Sequence, residues 1–297
     1  VQAAVDPLIT SFLEGRIALA KKIHPRAPEL FNELKRSFGG GKCLRPTHLI
    51  IGYLAGGNRD FKKVMPAAAA IELFHLYALI HDDIIDRAEV RRLRPTTISF
   101  FKNKFKDPHL ALSSAILAGS LAKSAADNIF HNCRVDSKEL SQGLKIFSIL
   151  KEEVEQGEYL DVRLQKSKSP SFDDVNTILT YKTAKYSFER PLHIGAALAG
   201  ASPQVSAVLS RYALPIGVAF QIQDDILGVF GNEKDIGKSA DSDIKEGKLT
   251  LLKIEALRRS GPADKKTLLR VMGSPKAKKG EVAAVRNIFK RTGAHEY

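Results

Sequence analysis

Two short acidic clusters, each closing a long apolar run, restrict how this chain can fold. The first is His81-Asp82-Asp83-Ile84-Ile85-Asp86, after an apolar stretch that begins near Met65. The second is Gln221-Ile222-Gln223-Asp224-Asp225-Ile226-Leu227. On a helix, Asp82 and Asp86 lie one turn apart on the same face. A helix running from Pro66 into the first cluster would crowd its carboxylates at the negative C-terminal half, where like charge is disfavoured. One such cluster reads as a solvated helix end. Two that match in pattern read as sites facing each other across a central cavity, the way bundles build metal sites from facing helices. Carboxylates gathered near an apolar interior repel and shift their pKa upward unless cations neutralise them. With no Cys or His in the set, the oxygen donors favour a hard ion, and Mg²⁺ with substrate phosphates fits best.

The rest of the sequence supports a helical bundle. Alternating strand patterns are missing, and Ala/Leu-rich stretches of helical period dominate. The pattern predicts helices at 5–22, 27–37, 65–86, 110–132, 137–165, 181–199, 204–227, 249–260 and 263–272, with a kink at Pro215. No composition shift marks a boundary, so the expectation is one all-α domain over 1–297. Cys43 and Cys133 give no disulfide framework and suit a reducing cytoplasm. No uncharged apolar run reaches about eighteen residues, and no signal-peptide pattern opens the chain, so no membrane segment is expected. The formal charge of +13 calls for anionic partners. Nucleic acid would want clustered basics interleaved with aromatics. Trp is absent and the densest basic run, Lys276-Ala277-Lys278-Lys279, holds no aromatic, so an anionic small molecule is the better partner.

Several cations are placed as phosphate contacts would be. In Gly39-Gly40-Gly41-Lys42-Cys43-Leu44-Arg45-Pro46, glycines let backbone approach a ligand, Pro46 suits the first turn of a helix, and Lys42 and Arg45 stand beside them. Arg91-Arg92-Leu93-Arg94-Pro95 reads as a basic loop just past the first acids. Gly237-Lys238 and Gly247-Lys248 each put a lysine after a glycine in the charged segment 232–248, whereas the acids between Glu152 and Asp161 read mostly as a solvated face. Glu72-x-x-His75 has the spacing of a di-iron carboxylate motif, but the second copy such a bundle requires is absent.

In this order the motifs resemble those of the trans-isoprenyl diphosphate synthases, or polyprenyl synthetases, from about Gly39 to the C-terminus. The match rests on Gly-Gly-Lys-Cys-Leu-Arg-Pro, Asp82 to Asp86, Arg91-Arg92 before Pro95-Thr96, Lys182-Thr183, Phe220-Gln221 leading to Asp224-Asp225, and the two Gly-Lys pairs. The resemblance implies an isoprenoid-synthase bundle, a homodimer, and condensation of isopentenyl diphosphate with an allylic diphosphate. It assigns Asp82, Asp86 and Asp224 to Mg²⁺, and Arg91, Lys182 and Lys238 to the departing diphosphate. Lys248 would close the mouth, with Thr183 and Gln221 adding neutral hydrogen bonds. Lys42, Arg45, His75 and Arg92 would bind isopentenyl diphosphate in a metal-free pocket. Tyr77, about 7.5 Å deeper on the helix than Asp82, and small Ala78 beside it would set product length, geranylgeranyl or alternatively farnesyl.

The departures are specific. Gly228 stands where the second motif usually has its third Asp, Leu93 where Gly is usual, Glu158 where Gln is common, and Ser120 where an Asp often follows Ala-Gly. Relatives commonly continue past Tyr297, which implies a truncated C-terminus. Gly228 also keeps a non-catalytic subunit of a heteromeric synthase in view, and a class I terpene cyclase shares the Asp-rich motif.

Overall fold

The computed structural model describes residues 1–165, 167, 170–232 and 241–296. In chain order the helices are α1 (Gln2–Ile23), α2 (Pro28–Ser37), α3 (Leu44–Ala55), α4 (Met65–Ile85), α5 (Thr97–Phe105), α6 (Pro108–Phe130) and α7 (Ser137–Leu164). After α8 (Phe172–Ile178) comes a π-helical segment (Leu179–Glu189), then α9 (Arg190–Leu198), α10 (Pro203–Phe230), α11 (Ser242–Glu246), α12 (Leu251–Arg259), α13 (Pro262–Val271) and α14 (Lys279–Arg291). A 3₁₀ turn (Phe61–Val64) leads into α4, and strands β1 (Val90–Arg91) and β2 (Arg94–Pro95) form an antiparallel pair. The all-α expectation holds among the described residues, with that hairpin as an addition. The chain divides into two compact units, Val1–Ser148 with Arg190–Leu209, and Ile149–Glu189 with Ser210–Tyr297.

The first unit is built around α4. Ala67 to Ala70, Ile71, Leu73 and Phe74 are all fully buried, so the helix is apolar on every side and must be surrounded. It packs along α6, which offers small side chains at Ala111, Ala115, Ala118, Ala122 and Ala126. α1 adds the stripe Val5, Ile9 and Leu13, spaced at one helical turn. Phe147 stacks on Phe130 at 5.2 Å and meets Phe74 edge-on at 5.8 Å, tying α7 to both. Cys43 and Cys133 are free and buried, as their number suggested. Burial pushes both thiols up to about 12, and nearby Glu72 adds to the shift at Cys43.

α3 and α9 cross at two glycines. A Cβ on Gly52 would collide with the Leu192 carbonyl oxygen, and one on Gly195 with the carbonyl oxygen of Leu49, 2.6 Å from the Tyr53 nitrogen. Both obstacles are backbone, which cannot swing aside. Gly195→Ala is therefore expected to cost about 3 kcal/mol, the upper end of overpacking penalties. Gly15 in α1 has open space at its Cβ, so Gly15→Ala should stabilise by up to about 1 kcal/mol. Urea denaturation followed by circular dichroism reads both. Equal effects of the two substitutions would contradict the close crossing.

The second unit has its own core. Val229 of α10 packs with Ile244, Leu252, Ala256, Leu268, Val271, Val282, Val285, Ile288 and Phe289. A smaller cluster joins Val175, Ile178 and Leu179 to Leu249 and Ile254. α10 continues through Pro215 to Phe230, beyond the expected end near Leu227.

The sequence has no uncharged apolar run of about eighteen residues, but a test that tolerates isolated charges selects two helices. Residues 61–85 and α10 are each long and apolar enough to cross a membrane by length and composition, because the test tolerates isolated charges. The apolar window of the first is 72% buried, which its position as the core helix explains; that of α10 is 11% buried.

Candidate active site

In the first unit the site grows from the end of α4. Asp86 caps the helix, its N–H donating to the Asp82 carbonyl oxygen at 2.8 Å, so both carboxylates belong to the last turn. No basic residue offsets them within that turn. The compensation comes from the hairpin beyond. Val90 pairs with Pro95 and Arg91 with Arg94, and the turn residues Arg92 and Leu93 have φ of 52° and 61°. Two successive left-handed residues make the tight turn that matches strand twist. The reading of 91–95 as a plain loop is thus corrected. Strands of two residues carry no alternation to read, and Leu is a poor choice for a left-handed position, at a cost of roughly 1–2 kcal/mol.

This turn sends Arg91 back onto α4. Its Nη2 donates to Asp82 Oδ2 at 2.6 Å and its Nε to Asp83 Oδ1 at 2.7 Å. Burial opposes the charge on Arg91, but Asp83 and Asp82 hold it protonated, above its ordinary range. Burial pushes Asp83 up to about 6, while Arg91 pulls it down. Asp83, to which sequence reasoning gave no role, is the anchor that orients Arg91.

A second group of charges gathers around Glu72. Arg92 Nη1 donates to the Gly39 carbonyl at 2.8 Å, and Gly39 and Gly40 have φ of 98° and 74°. A Cβ on Gly41 would sit 3.2 Å from Arg92 Nη2 and 3.3 Å from Glu72 Oε1, so the glycine loop is the seat on which Arg92 meets Glu72. Burial raises the Glu72 pKa, while Arg45 and then Arg92 lower it. Burial, followed by Arg45, Arg92 and Arg91, holds the His75 imidazole well below its ordinary value. His75 is therefore neutral near pH 7, a hydrogen-bonding group among cations. The structure brings Arg45, His75 and Arg92 together, with Lys42 exposed on the same loop. Glu72 is a further residue the sequence reading missed, having been weighed only as a metal ligand. A cavity of about 270 Å³ lies alongside, with Leu76, Leu79 and Ile80 beneath Arg91 and Arg92. Higher on α4, the Tyr77 ring lies 5.1 Å from Phe74 and 4.5 Å from His81, with Lys123 Nζ of α6 at 5.2 Å. Tyr77 and Ala78 are both half-buried.

The second unit holds its own group of candidate residues. Lys182 and Thr183 sit on the π-helical segment rather than on an ordinary helix start. Gly157 of α7 explains how this segment comes so near. A Cβ there would lie 2.5 Å from the Lys182 nitrogen and 2.8 Å from the Tyr181 carbonyl carbon. Lys182 Nζ bonds Asp161 at 2.6 Å and Glu158 at 2.7 Å, and Lys185 pairs with Glu153 at 2.8 Å. The reading of these acids as a solvated face is corrected for Glu153, Glu158 and Asp161. Thr183 Oγ1 donates to Gln221 Oε1 at 2.6 Å, and Gln221 Nε2 donates to Asp225 Oδ1 at 2.9 Å. Burial pushes Asp225 up to about 7, the Gln221 hydrogen bond opposing it and Asp243 adding to it. Asp224, its neighbour on the helix, is exposed. Lys248 Nζ lies 3.7 Å from Asp243 and 3.5 Å from Glu246. Lys238 and Gly237 lie outside the described residues.

The donors at both acidic motifs are oxygen alone. Among the described residues no three His, Cys, Asp or Glu side chains converge into a ready-made cage. Mg²⁺ takes one or two carboxylates and completes its octahedron with water and substrate phosphate.

The Polyprenyl synthetase family profile matches residues 28–289. The chain is 35% identical over 263 residues to the short chain isoprenyl diphosphate synthase of Methanocaldococcus jannaschii, covering 88% of this chain and 76% of that protein. It is 32% identical over 291 residues to the geranylgeranyl diphosphate synthase of Sulfolobus acidocaldarius, covering 97% and 82%. Among solved structures, a geranylgeranyl pyrophosphate synthase from Corynebacterium glutamicum, complexed with isoprenyl diphosphate and magnesium, superposes with a TM-score of 0.93 at 32% identity, covering 98% of this chain and 86% of that one. The ordered motifs, the helical fold and these matches together place the chain in the polyprenyl synthetase family.

Proposed function

We propose that this chain is a Mg²⁺-dependent trans-prenyltransferase that condenses isopentenyl diphosphate with an allylic diphosphate into a short-chain prenyl diphosphate. The observation that carries the reading is the division of labour at the end of α4. Arg91 is tied to the acidic motif, while Arg92, the next residue, turns to the glycine loop. Adjacent guanidiniums thus serve two separate anion sites, as a reaction between two diphosphates requires. Family membership and the magnesium in the Corynebacterium glutamicum structure support the cofactor. Asp82, Asp86 and Asp224 would hold Mg²⁺, which would neutralise the diphosphate as it leaves and so favour the allylic cation.

The chain's own side chains do the rest. Arg91 and Lys182 are assigned to the departing diphosphate, where fixed positive charge favours the state in which the leaving group is fully anionic. Thr183 and Gln221 hold the neutral chain of donors that ends at Asp225. Lys42, Arg45 and Arg92, with neutral His75, bind the second diphosphate without a metal. Lys238 is assigned, with Arg91 and Lys182, to the departing diphosphate, and Lys248 takes the role of the closing lysine. The whole chain acts as one catalytic domain, and the protein is a homodimer, supported by Leu112, Ile116 and Leu117 exposed on α6.

Product length follows from α4. Tyr77 is a half-buried ring five residues before Asp82, and with Ala78 it is assigned as the stop for a growing prenyl chain, with geranylgeranyl as the product. Tyr77→Ala should shift the chromatographic profile to longer products. An unchanged profile would return Tyr77 to a packing role against Phe74 and His81. The class of reaction is tested by supplying an allylic diphosphate with and without labelled isopentenyl diphosphate. A condensing enzyme gives an elongated diphosphate only when both are present, whereas a cyclase gives a hydrocarbon from the allylic substrate alone.

A further inference from the structure

We propose that Lys253 is a positioning residue that aims Lys248 by fixing the peptide plane joining Gly247 to Lys248. The proposal rests on the prenyltransferase reading, in which Lys248 closes over the diphosphate. Its basis is the turn between α11 and α12, which carries Lys248. Gly247 ends α11 with φ of 76°, and its N–H donates to the carbonyl oxygens of Asp243 and Ile244 at 3.1 Å each. The Lys248 N–H donates to the same Asp243 oxygen, also at 3.1 Å. The other end of that peptide, the Gly247 carbonyl, accepts from Lys253 Nζ at 3.1 Å. A peptide unit is planar, so one bond at its N–H and another at its carbonyl together fix its orientation. That plane is the frame from which the Lys248 side chain leaves the backbone.

Glycine at 247 is required twice. Its φ is left-handed, and a Cβ there would lie 2.7 Å from the Cα and the nitrogen of Gly273. Glycine is also the residue whose backbone is least restrained, so its carbonyl needs an anchor from outside the turn. Lys253 reaches it from the first turn of α12. The Lys253 N–H donates to Oγ1 of Thr250, the N-cap of that helix, at 3.3 Å. One residue thus bonds both ends of the turn. Its placement is unfavourable in itself. Lys253 is 8% exposed between the buried side chains Leu252 and Ile254, and burial lowers its pKa. Taking an ammonium out of water is costly, and an apolar side chain at 253 would avoid that penalty. The carbonyl it holds explains the lysine. Lys248, by contrast, keeps 20% of its side-chain exposure, beside Asp243 and Glu246.

The test is the affinity of the full chain for inorganic pyrophosphate in saturating Mg²⁺, read by calorimetry. Lys253→Met keeps the reach of the side chain and removes the ammonium. It should weaken pyrophosphate binding about fivefold, the effect of one hydrogen bond, with the melting temperature unchanged or raised. Lys248→Met removes the cation itself and should weaken binding about tenfold. With Lys248 already replaced, Lys253→Met should weaken binding no further, since nothing is left to aim. In turnover, Lys253→Met should raise the KM for the allylic diphosphate and leave that for isopentenyl diphosphate unchanged. Lys253→Leu, a second way of removing the ammonium, should match Lys253→Met and decides the matter if that variant does not fold. Wild-type affinity in the Lys253 variants, or an equal loss with and without Lys248, makes Lys253 a cap of α11 and overturns the proposal while the enzyme reading stands. Wild-type affinity in Lys248→Met overturns the closing role of Lys248 and this proposal with it. Formation of a prenyl diphosphate is the separate measure of the enzyme reading.

Discussion

Asp82→Asn is expected to lower the condensation rate about 1,000-fold while leaving the fold intact. A metal-bridged diphosphate draws several kcal/mol of charge stabilisation from such a carboxylate, and about 4 kcal/mol corresponds to a factor near 1,000. Stability should change little, because Asn retains the shape and Arg91 stays bonded to Asp83 at 2.7 Å. Asp83→Asn should behave in the opposite way. Asp83 is 4% exposed and carries the Nε bond that aims Arg91, so its loss releases a positioning contact rather than a metal ligand. The expected outcome is a smaller fall in rate and a larger fall in stability. Steady-state kinetics paired with urea melts separates the two carboxylates, and equal losses in both measurements would refute the assignment.

Lys182→Met should be the second severe variant, and for two reasons at once. It removes a cation assigned to the leaving diphosphate, where loss of one such group costs on the order of 100- to 1,000-fold. It also leaves Asp161 and Glu158 facing each other without the ammonium that bonds both, at 2.6 and 2.7 Å. Breaking a well-buried pair costs about 3–5 kcal/mol. Here the lysine and Glu158 side chains keep 21% of their exposure, so about 2 kcal/mol is the expected loss of stability. Lys182→Met combined with Glu158→Gln should recover stability and not activity. Recovery of both would show that Lys182 serves only the acids of α7.

Much of this was legible in the sequence because helical periodicity and motif order survive without any tertiary information. α4 announces itself through a long apolar run interrupted by Glu72 and His75, and the match of Leu79–Ile85 to Gln221–Leu227 singles out both acidic motifs. The glycine loop before Arg45 is visible because glycine beside cations has few other uses. What stayed hidden depends on contacts between distant residues. Asp161 and Glu158 look like ordinary surface acids on a 28-residue helix until Gly157 lets the π-helical segment lie against α7. The hairpin at 90–95 escapes because its strands are too short to alternate and Leu93 occupies a turn position that usually signals itself with glycine.

The purified chain, alone, with labelled isopentenyl diphosphate and an allylic primer across a Mg²⁺ titration, tests the central claim most directly. The account predicts a prenyl diphosphate formed without any partner protein, abolished by EDTA and restored by excess Mg²⁺. Absence of product at every Mg²⁺ concentration and with every allylic primer would contradict it, and would instead identify the chain as the non-catalytic member of a heteromeric synthase.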